Sequence, residues 1–161
     1  MIVNRTTYID QLVRSRGNGL IKIVTGIRRS GKSFLLKKLF RQHLLDDGVQ
    51  DDHIIIIDME SRKNKAFKDP DYLLDYIDNV MKDDNTYYII IDEVQEVNDF
   101  VEVLSTLSVT EGTDVYVTGS NSRFLSSDVV TEFRGRGDEI HVWPLSFKEY
   151  MSVYDGSVEK G

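Results

Sequence analysis

The chain has 161 residues, the usual size of one domain. Asp and Glu number 27 against 20 Lys and Arg. The net charge of −7 disfavours a protein that coats nucleic acid, because an acidic surface repels phosphate backbones. Cysteine is absent, which excludes disulfides, thiolate metal sites and cysteine nucleophiles. The longest apolar run, residues 87–91, is far shorter than the ~18 residues that span a bilayer, so we expect no membrane segment and a cytoplasmic location.

Five short runs of the sequence are rich in apolar and β-branched residues. The runs are residues 20–25, 53–58, 87–92, 113–118 and 139–143. Most are nearly continuous in such residues, which is typical of strands buried on both faces of a parallel sheet. Helical patterns fill the gaps between the runs. This alternation predicts an α/β fold with a mostly parallel sheet and right-handed crossovers.

The predicted helices have recognisable starts or stops. A helix over residues 32–46 ends where Gly48 lets the chain leave the helical path. Asp69 and Pro70 open a helix that continues to about residue 82, because the carboxylate caps the first turn and the proline ring is preset for it. Three further starts are Asn98, Ser126 (with a helix to about residue 133) and the capping-box pair of Ser146 and Glu149.

The first strand leads into a phosphate-binding pattern. Residues 26–33, GIRRSGKS, match G-x-x-x-x-G-K-[ST] between a predicted strand and a predicted helix. In this pattern the glycines allow a tight turn of backbone N–H groups, Lys32 holds the β- and γ-phosphates, and the Ser33 hydroxyl ligates Mg²⁺. The candidate nucleotide-binding residues are Gly26, Ile27, Arg28, Arg29, Ser30, Gly31, Lys32, Ser33 and Phe34. Whether the two arginines contact a phosphate or a partner carboxylate, or are only solvated, stays open.

The third strand ends in two acids. Residues 87–93, YYIIIDE, read as a Walker B strand that delivers Asp92 to the carboxyl edge of the sheet, where ligands bind in open α/β folds. Asp92 is the candidate that holds Mg²⁺ together with Ser33. Glu93 is the candidate that orients and deprotonates the attacking water. Gln95 either positions that water or is an ordinary surface residue.

The order of the motifs resembles one family. TGIRRSGKS, IIIDEVQE, VTGSNS, FRGR and PLSFKEY follow one another here as in the ATPase domain of a prokaryotic AAA-domain family of the AAA+/STAND group of P-loop NTPases. The resemblance covers residues 5–150 and implies a three-layer α-β-α sandwich with a five-stranded ASCE-type sheet in the order 5-1-4-3-2. It also implies a P-loop ATPase core over residues 1–150. Residues 151–161 then begin a linker or lid, before a C-terminal domain of unknown function.

The resemblance also suggests roles for residues after the fourth strand. Ser120 and Asn121 stand where this group keeps a polar sensor of the γ-phosphate, although the same residues suit an ordinary turn. Arg136 matches the position of an arginine finger, with Arg134 as a second candidate and a solvent-facing arginine as the alternative. Whether a finger acts within one subunit or across a homo-oligomer interface stays open.

The function that these patterns favour is Mg²⁺-dependent binding and hydrolysis of ATP, with ADP as product, that switches or drives an unidentified protein partner. The main alternative is a nucleotide-dependent regulatory module that does not hydrolyse. A small-molecule kinase is less favoured, because the adjacent Asp92 and Glu93 suit activation of water, which a kinase excludes. The net charge gives no support to a nucleic-acid motor.

Overall fold

The computed structural model describes residues 5–120 and 137–151. Its sheet has five strands in the order β2-β3-β4-β1-β5, and all four pairings are parallel. The strands are β1 (Ile21–Thr25), β2 (Ile54–Asp58), β3 (Tyr87–Asp92), β4 (Thr113–Thr118) and β5 (Gly137–His141). This is the predicted order, counted from the opposite edge. The α/β class and the ASCE-type sheet are therefore confirmed, and only β5 lies two residues earlier than predicted.

Helices cover the two faces of the sheet. They are α1 (Thr6–Arg14), α2 (Lys32–Phe34), a π-helical segment (Leu35–Phe40), α3 (Arg41–Asp46), α4 (Pro70–Val80), α5 (Phe100–Ser108) and α6 (Phe147–Met151), with 3₁₀ turns at Asp51–His53, Arg62–Lys68 and Val94–Glu96. Among these described helices, none has the length and apolar character needed to cross a bilayer.

Two hydrophobic clusters form the core, one on each face of the sheet. Ile89 and Ile91 of β3 face α4 and α5, whereas Tyr88 and Ile90 of the same strand face α1, the π-helical segment and α3. Side chains of a strand alternate between the two faces, so a strand without polar alternation is buried on both. All six residues of β3 are buried. The result is the predicted three-layer α-β-α sandwich.

The predicted helix ends are confirmed in part. The Asp69 carboxylate accepts hydrogen bonds from two backbone N–H groups of α4, at 2.9 and 3.2 Å. Ser146 and Glu149 form the capping box through two reciprocal bonds of 3.1 Å. The prediction for Asn98 is wrong: α5 begins at Phe100, one residue later than a cap at Asn98 requires. The backbone N–H of Asn98 instead donates to the Lys68 carbonyl at 3.0 Å. Ser126 and its predicted helix lie outside the described residues.

The helical run after the phosphate-binding pattern is not uniform. Residues 32–46 are helical throughout, as predicted, but Leu35–Phe40 widens into a π-helix, which hydrophobic periodicity does not reveal. Gly48 ends the run at a φ of 92°, and the N–H groups of Gly48 and Val49 bond to carbonyls of the last turn at 3.1 and 3.0 Å. This is the expected glycine stop.

Candidate functional site

Four strands of the sheet end in polar residues at one edge. Asp58 of β2 lies beside Asp92 of β3 in the strand register, and Thr118 ends β4 beside β1, which itself ends at Thr25. The loop of residues 26–31 leaves β1 at the same edge. Parallel strands carry all of their carboxyl ends on one side, so the fold brings the loop and the acids together.

The loop is tightly packed at its start. A Cβ atom added to Gly26 would lie 2.4 Å from the Val142 carbonyl oxygen, so only glycine fits there without a shift of the backbone. The side chains of Ile27, Arg28 and Arg29 are exposed, and Arg29 adopts a positive φ of 67°. The Phe34 side chain, beyond the loop, is 41% exposed. Neither Arg28 nor Arg29 makes a side-chain hydrogen bond or an ion pair with another described residue.

Lys32 lies folded inside the loop. Its Nζ donates hydrogen bonds to the carbonyl oxygens of Gly26 and Ile27 at 3.0 and 2.8 Å. Burial lowers the pKa of Lys32, and the nearby charges of Glu93 and Asp92 only partly oppose that shift. An anion placed in the loop would therefore meet a buried ammonium group whose hydrogen bonds, among the described residues, go to carbonyl oxygens and not to a carboxylate.

Ser33 and Asp92 contact each other directly. The Ser33 hydroxyl lies 2.7 and 2.9 Å from the two carboxylate oxygens of Asp92, which is fully buried. Thr118 donates its hydroxyl to the same carboxylate at 2.6 Å and accepts the backbone N–H of Glu93 at 2.9 Å. Thr118 was not among the candidates. Its only sequence signal is its place as the last residue of a buried strand.

Glu93 follows Asp92 in a left-handed conformation, with a φ of 55°. Its carboxylate accepts the hydroxyl of Ser120 at 3.0 and 3.1 Å and the side-chain amide of Gln95. Gln95 is 7% exposed, so the surface alternative for this residue is wrong. Asn121, Arg134 and Arg136 lie outside the described residues.

Sequence reasoning missed three charged groups at this edge, which are Lys37, Asp58 and Glu60. Lys37 Nζ lies 2.9 Å from an Asp58 carboxylate oxygen and 3.2 Å from one of Asp92. Carboxylate oxygens of Asp58, Glu60 and Asp92 lie within 4.8 Å of one another, close enough to ligate a single metal ion. Burial disfavours the Lys37 charge, but hydrogen bonds to Asp58 and Asp92 outweigh it and raise the pKa of Lys37. The available signal was helical spacing, since Lys37 lies four residues after Ser33.

A family model described as "AAA domain" matches residues 18–151 of the chain. The chain belongs to this AAA domain family. Two relatives are an uncharacterized protein of Haemophilus influenzae, 34% identical over 93% of this chain, and one of Methanocaldococcus jannaschii, 30% identical over 87%. The chain spans only 38% and 30% of their lengths.

Solved structures with a similar fold share little sequence with this AAA domain. A chain of Drosophila ORC bound to DNA has a TM-score of 0.53 and 11% identity, over 90% of this chain and 94% of that one. C. elegans PCH-2 has a TM-score of 0.55 and 16% identity, over 84% and 41%. A DNA replication initiation factor has a TM-score of 0.57 and 17% identity, over 94% and 49%. Similarity at this identity shows the fold alone.

The residues at the carboxyl edge of this AAA domain fit a nucleotide phosphate with Mg²⁺. The Ser30 hydroxyl is buried in the loop without a hydrogen-bond partner among the described residues, so the loop holds an unused polar group. The Ser33 hydroxyl contacts Asp92, whose carboxylate lies close to those of Asp58 and Glu60. Mg²⁺ takes oxygen ligands of this kind, usually with one or two carboxylates, water and substrate phosphates.

Proposed function

We propose that this AAA domain binds ATP together with Mg²⁺ and hydrolyses it, and that the cycle switches or drives a protein partner. The observation that carries the proposal is the direct contact between Ser33 and Asp92, at 2.7 Å, beside the buried ammonium of Lys32. A hydroxyl and a carboxylate brought together at the mouth of a phosphate-binding loop are suited to hold the metal of a metal–nucleotide complex.

Binding would use the loop and Lys32. The Lys32 ammonium donates to two loop carbonyls, and phosphate oxygens are stronger acceptors for it because they carry charge. Bound Mg²⁺ would neutralise phosphate charge, with Ser33 and Asp92 as its protein ligands. Lys37 already balances the carboxylates of Asp58 and Asp92, so the acidic edge remains compatible with a negatively charged ligand.

Hydrolysis would use Glu93 to orient water and take its proton. The Glu93 carboxylate is held by Ser120 and Gln95, and its backbone N–H is held by Thr118. These bonds fix the position of the carboxylate beside the strand that ends in Asp92. A base held by packing and hydrogen bonds loses little freedom when the reaction begins.

Paired substitutions test the proposal. Lys32→Ala should abolish measurable ATP affinity, whereas Glu93→Gln should keep ATP bound and lower phosphate release by ~10²–10⁴-fold, the usual contribution of a general base. Lys38→Ala and Glu96→Gln are matched controls, because both side chains are exposed and lie close in sequence to the tested residues. Binding is measured by calorimetry and turnover by phosphate release. Full turnover in Glu93→Gln would contradict the role of Glu93.

The second candidate is a nucleotide-dependent regulatory module that does not hydrolyse. It is favoured by the hydrogen bonds of Ser120 and Gln95 to the Glu93 carboxylate, because a base that already accepts these bonds has less capacity to take a proton from water. A single-turnover measurement separates the two candidates. Bound ATP that stays intact in the wild type, and equally in Glu93→Gln, would favour the regulatory module.

A further inference from the structure

Arg5 joins three segments that are far apart in the sequence. Its side chain is 4% exposed. The guanidinium donates to the Ser30 carbonyl at 2.6 Å, to the Trp143 carbonyl at 2.5 Å and to the Glu149 carboxylate at 2.9 Å. One planar group therefore touches the loop of residues 26–31 (the phosphate loop), the segment after β5 and the first turn of α6. The proposed chemistry of the site makes no use of Arg5.

The contact with Ser30 bears directly on the loop amide before Lys32. The Ser30 carbonyl and the Gly31 N–H belong to one peptide unit, and none of the described peptide bonds is cis. In a trans peptide these two groups point in opposite directions, so a cation that holds the carbonyl also fixes the direction of the N–H. The Arg5 charge polarises the same unit and strengthens its N–H as a donor. A Cβ atom added to Gly31 would lie 3.3 Å from Arg5, which shows how closely the guanidinium lies against the loop.

Glu149, which accepts a hydrogen bond from Arg5, also belongs to the capping box at the start of α6. One Glu149 carboxylate oxygen accepts from Arg5, and the other accepts the backbone N–H of Ser146 in the capping box, at 3.1 Å. Movement of the Glu149 carboxylate would therefore disturb both the start of α6 and the grip of Arg5 on the loop. The Arg5–Glu149 contact is a hydrogen bond of this charged kind, and hydrogen bonds between ionised groups are shorter and stronger than those between neutral groups.

A second set of contacts ties the same two regions together. The backbone N–H of Val142 donates to the Thr25 carbonyl at 2.8 Å, and Gly26 lies against the Val142 carbonyl. The backbone N–H of Trp143 donates to the Tyr8 hydroxyl at 3.1 Å. The end of β1 and the first loop residue therefore contact the segment that leads to α6, and α1 contacts the same segment through Tyr8.

We propose that Arg5 is a positioning residue that aims the Gly31 amide at a bound phosphate and couples the loop to α6 through Glu149. The proposal rests on the proposed nucleotide binding and adds a route by which the bound nucleotide influences the chain after β5. Coupling of this kind is reciprocal: if nucleotide binding tightens the Arg5–Glu149 pair, loss of that pair must weaken nucleotide binding by the same factor.

The test uses three variants of the full chain: Arg5→Gln, Arg5→Lys and Glu149→Gln. The control is Arg16→Gln, because Arg16 also pairs with a carboxylate, Asp47, at 2.6 Å, and bonds to Tyr88 near the amino ends of the strands, away from the site. The dissociation constants of Mg²⁺–ATP and Mg²⁺–ADP are measured by calorimetry. We expect Arg5→Gln to raise both constants about tenfold, which is the usual effect of losing one charge-assisted bond, and Arg16→Gln to change them less than about twofold.

Trp143 gives a second readout that a purely structural role would not affect. It is the only tryptophan of the chain, its side chain is 65% exposed, and its carbonyl is bound by Arg5. We expect nucleotide to change Trp143 emission in the wild type. In Arg5→Gln, at saturating nucleotide, this change should fall by half or more, because the substitution removes the guanidinium that bonds to both the Ser30 and the Trp143 carbonyls.

The outcomes separate the two proposals. If the wild type binds nucleotide and Lys32→Ala does not, but all three variants match the wild type in affinity and Trp143 response, then the proposed function stands and the coupling is overturned. Failure of the folded wild type to bind ATP and ADP overturns both. If Arg5→Gln does not fold, Arg5→Lys and Glu149→Gln decide. Arg5→Lys keeps the charge but cannot donate in three fixed directions, so weakened binding supports the geometric role and wild-type behaviour in both variants overturns it.

Discussion

Gly26→Ala is the substitution that most directly tests how the phosphate loop packs. Gly26 has a φ of 147°, and an added methyl group would lie 2.4 Å from the Val142 carbonyl oxygen and 2.8 Å from the Ser30 hydroxyl. The first of these contacts is with backbone, which cannot move away as a flexible side chain does. Relief requires the loop or the segment after β5 to shift.

Two costs add at this position. A non-glycine residue with strongly positive φ costs about 1–3 kcal/mol, and overpacking costs about 1–3 kcal/mol more, so we expect Gly26→Ala to lower the free energy of unfolding by about 4 kcal/mol. Gly48→Ala is the matched control. Gly48 also has a positive φ, of 92°, but an added Cβ atom would meet nothing within 4 Å, so only the backbone cost of about 1 kcal/mol applies.

Urea denaturation of the wild type and the two variants measures the difference. For a chain of this size about 3 kcal/mol between the variants corresponds to a difference in Tm of about 10 °C. Nucleotide affinity should fall in Gly26→Ala and stay unchanged in Gly48→Ala, because Gly48 lies at the end of α3, outside the loop. Equal losses of stability in the two variants would refute the close approach of the loop to Val142.

Two further predictions concern groups outside the site. His53 bonds to Asp83 and Asp52 at 2.8 and 2.6 Å; burial lowers the pKa of His53, but these bonds outweigh burial and raise it above the ordinary 6.5. Protonated His53 therefore stabilises the fold at pH 6.5 and just below, and this stabilisation is lost as pH rises through the raised pKa. Urea denaturation at several pH values should show that loss, and His53→Gln should remove it. At the amino end of the sheet, Lys22 is fully buried and pairs with buried Asp114. Lys22→Met should lower the free energy of unfolding by about 3–5 kcal/mol, because it removes the counter-charge of the buried Asp114 carboxylate, and addition of Asp114→Leu should recover part of the loss.

The controls for these predictions are direct. Asp83→Asn should weaken the pH dependence of stability, and an unchanged pH profile in His53→Gln would contradict the assigned titration. For the buried pair, a double-mutant cycle measures the coupling between Lys22 and Asp114. Additive losses in that cycle would show that the two charges do not depend on each other.

Local patterns predicted most of the fold because they reflect local physics. The β3 run is apolar over its length, and such a strand is stable only between two layers of helices. Asp69 and the pair of Ser146 and Glu149 cap helices within three residues of themselves, so their roles follow from spacing. Asn98 shows the limit of this reasoning, because Asp99 and Phe100 begin α5 one residue later while Asn98 is held by a distant carbonyl.

Trp143 is another position where pattern and structure differ. A tryptophan at the end of a strand suggests packing, yet its side chain is 65% exposed and contacts the His141 ring edge-on, with ring centroids 4.3 Å apart. The alternation of β5 continues past its last residue, because Ile140 and Val142 are buried whereas His141 and Trp143 are exposed, and this alternation places the Trp143 side chain on the exposed side.

Sequence patterns alone predicted the candidate chemistry: the loop with Lys32 and Ser33, the acids Asp92 and Glu93, and a parallel sheet that places them at one edge. These follow from spacing within single segments and from the rule that parallel strands share their carboxyl ends. The distant groups that join them became visible only in the folded chain. Lys37 meets Asp58 across two elements, and Arg5 reaches Glu149 across 144 residues of chain. Such contacts depend on strand order and helix packing, because the side chains meet only after the sheet has formed, and no local pattern encodes that meeting.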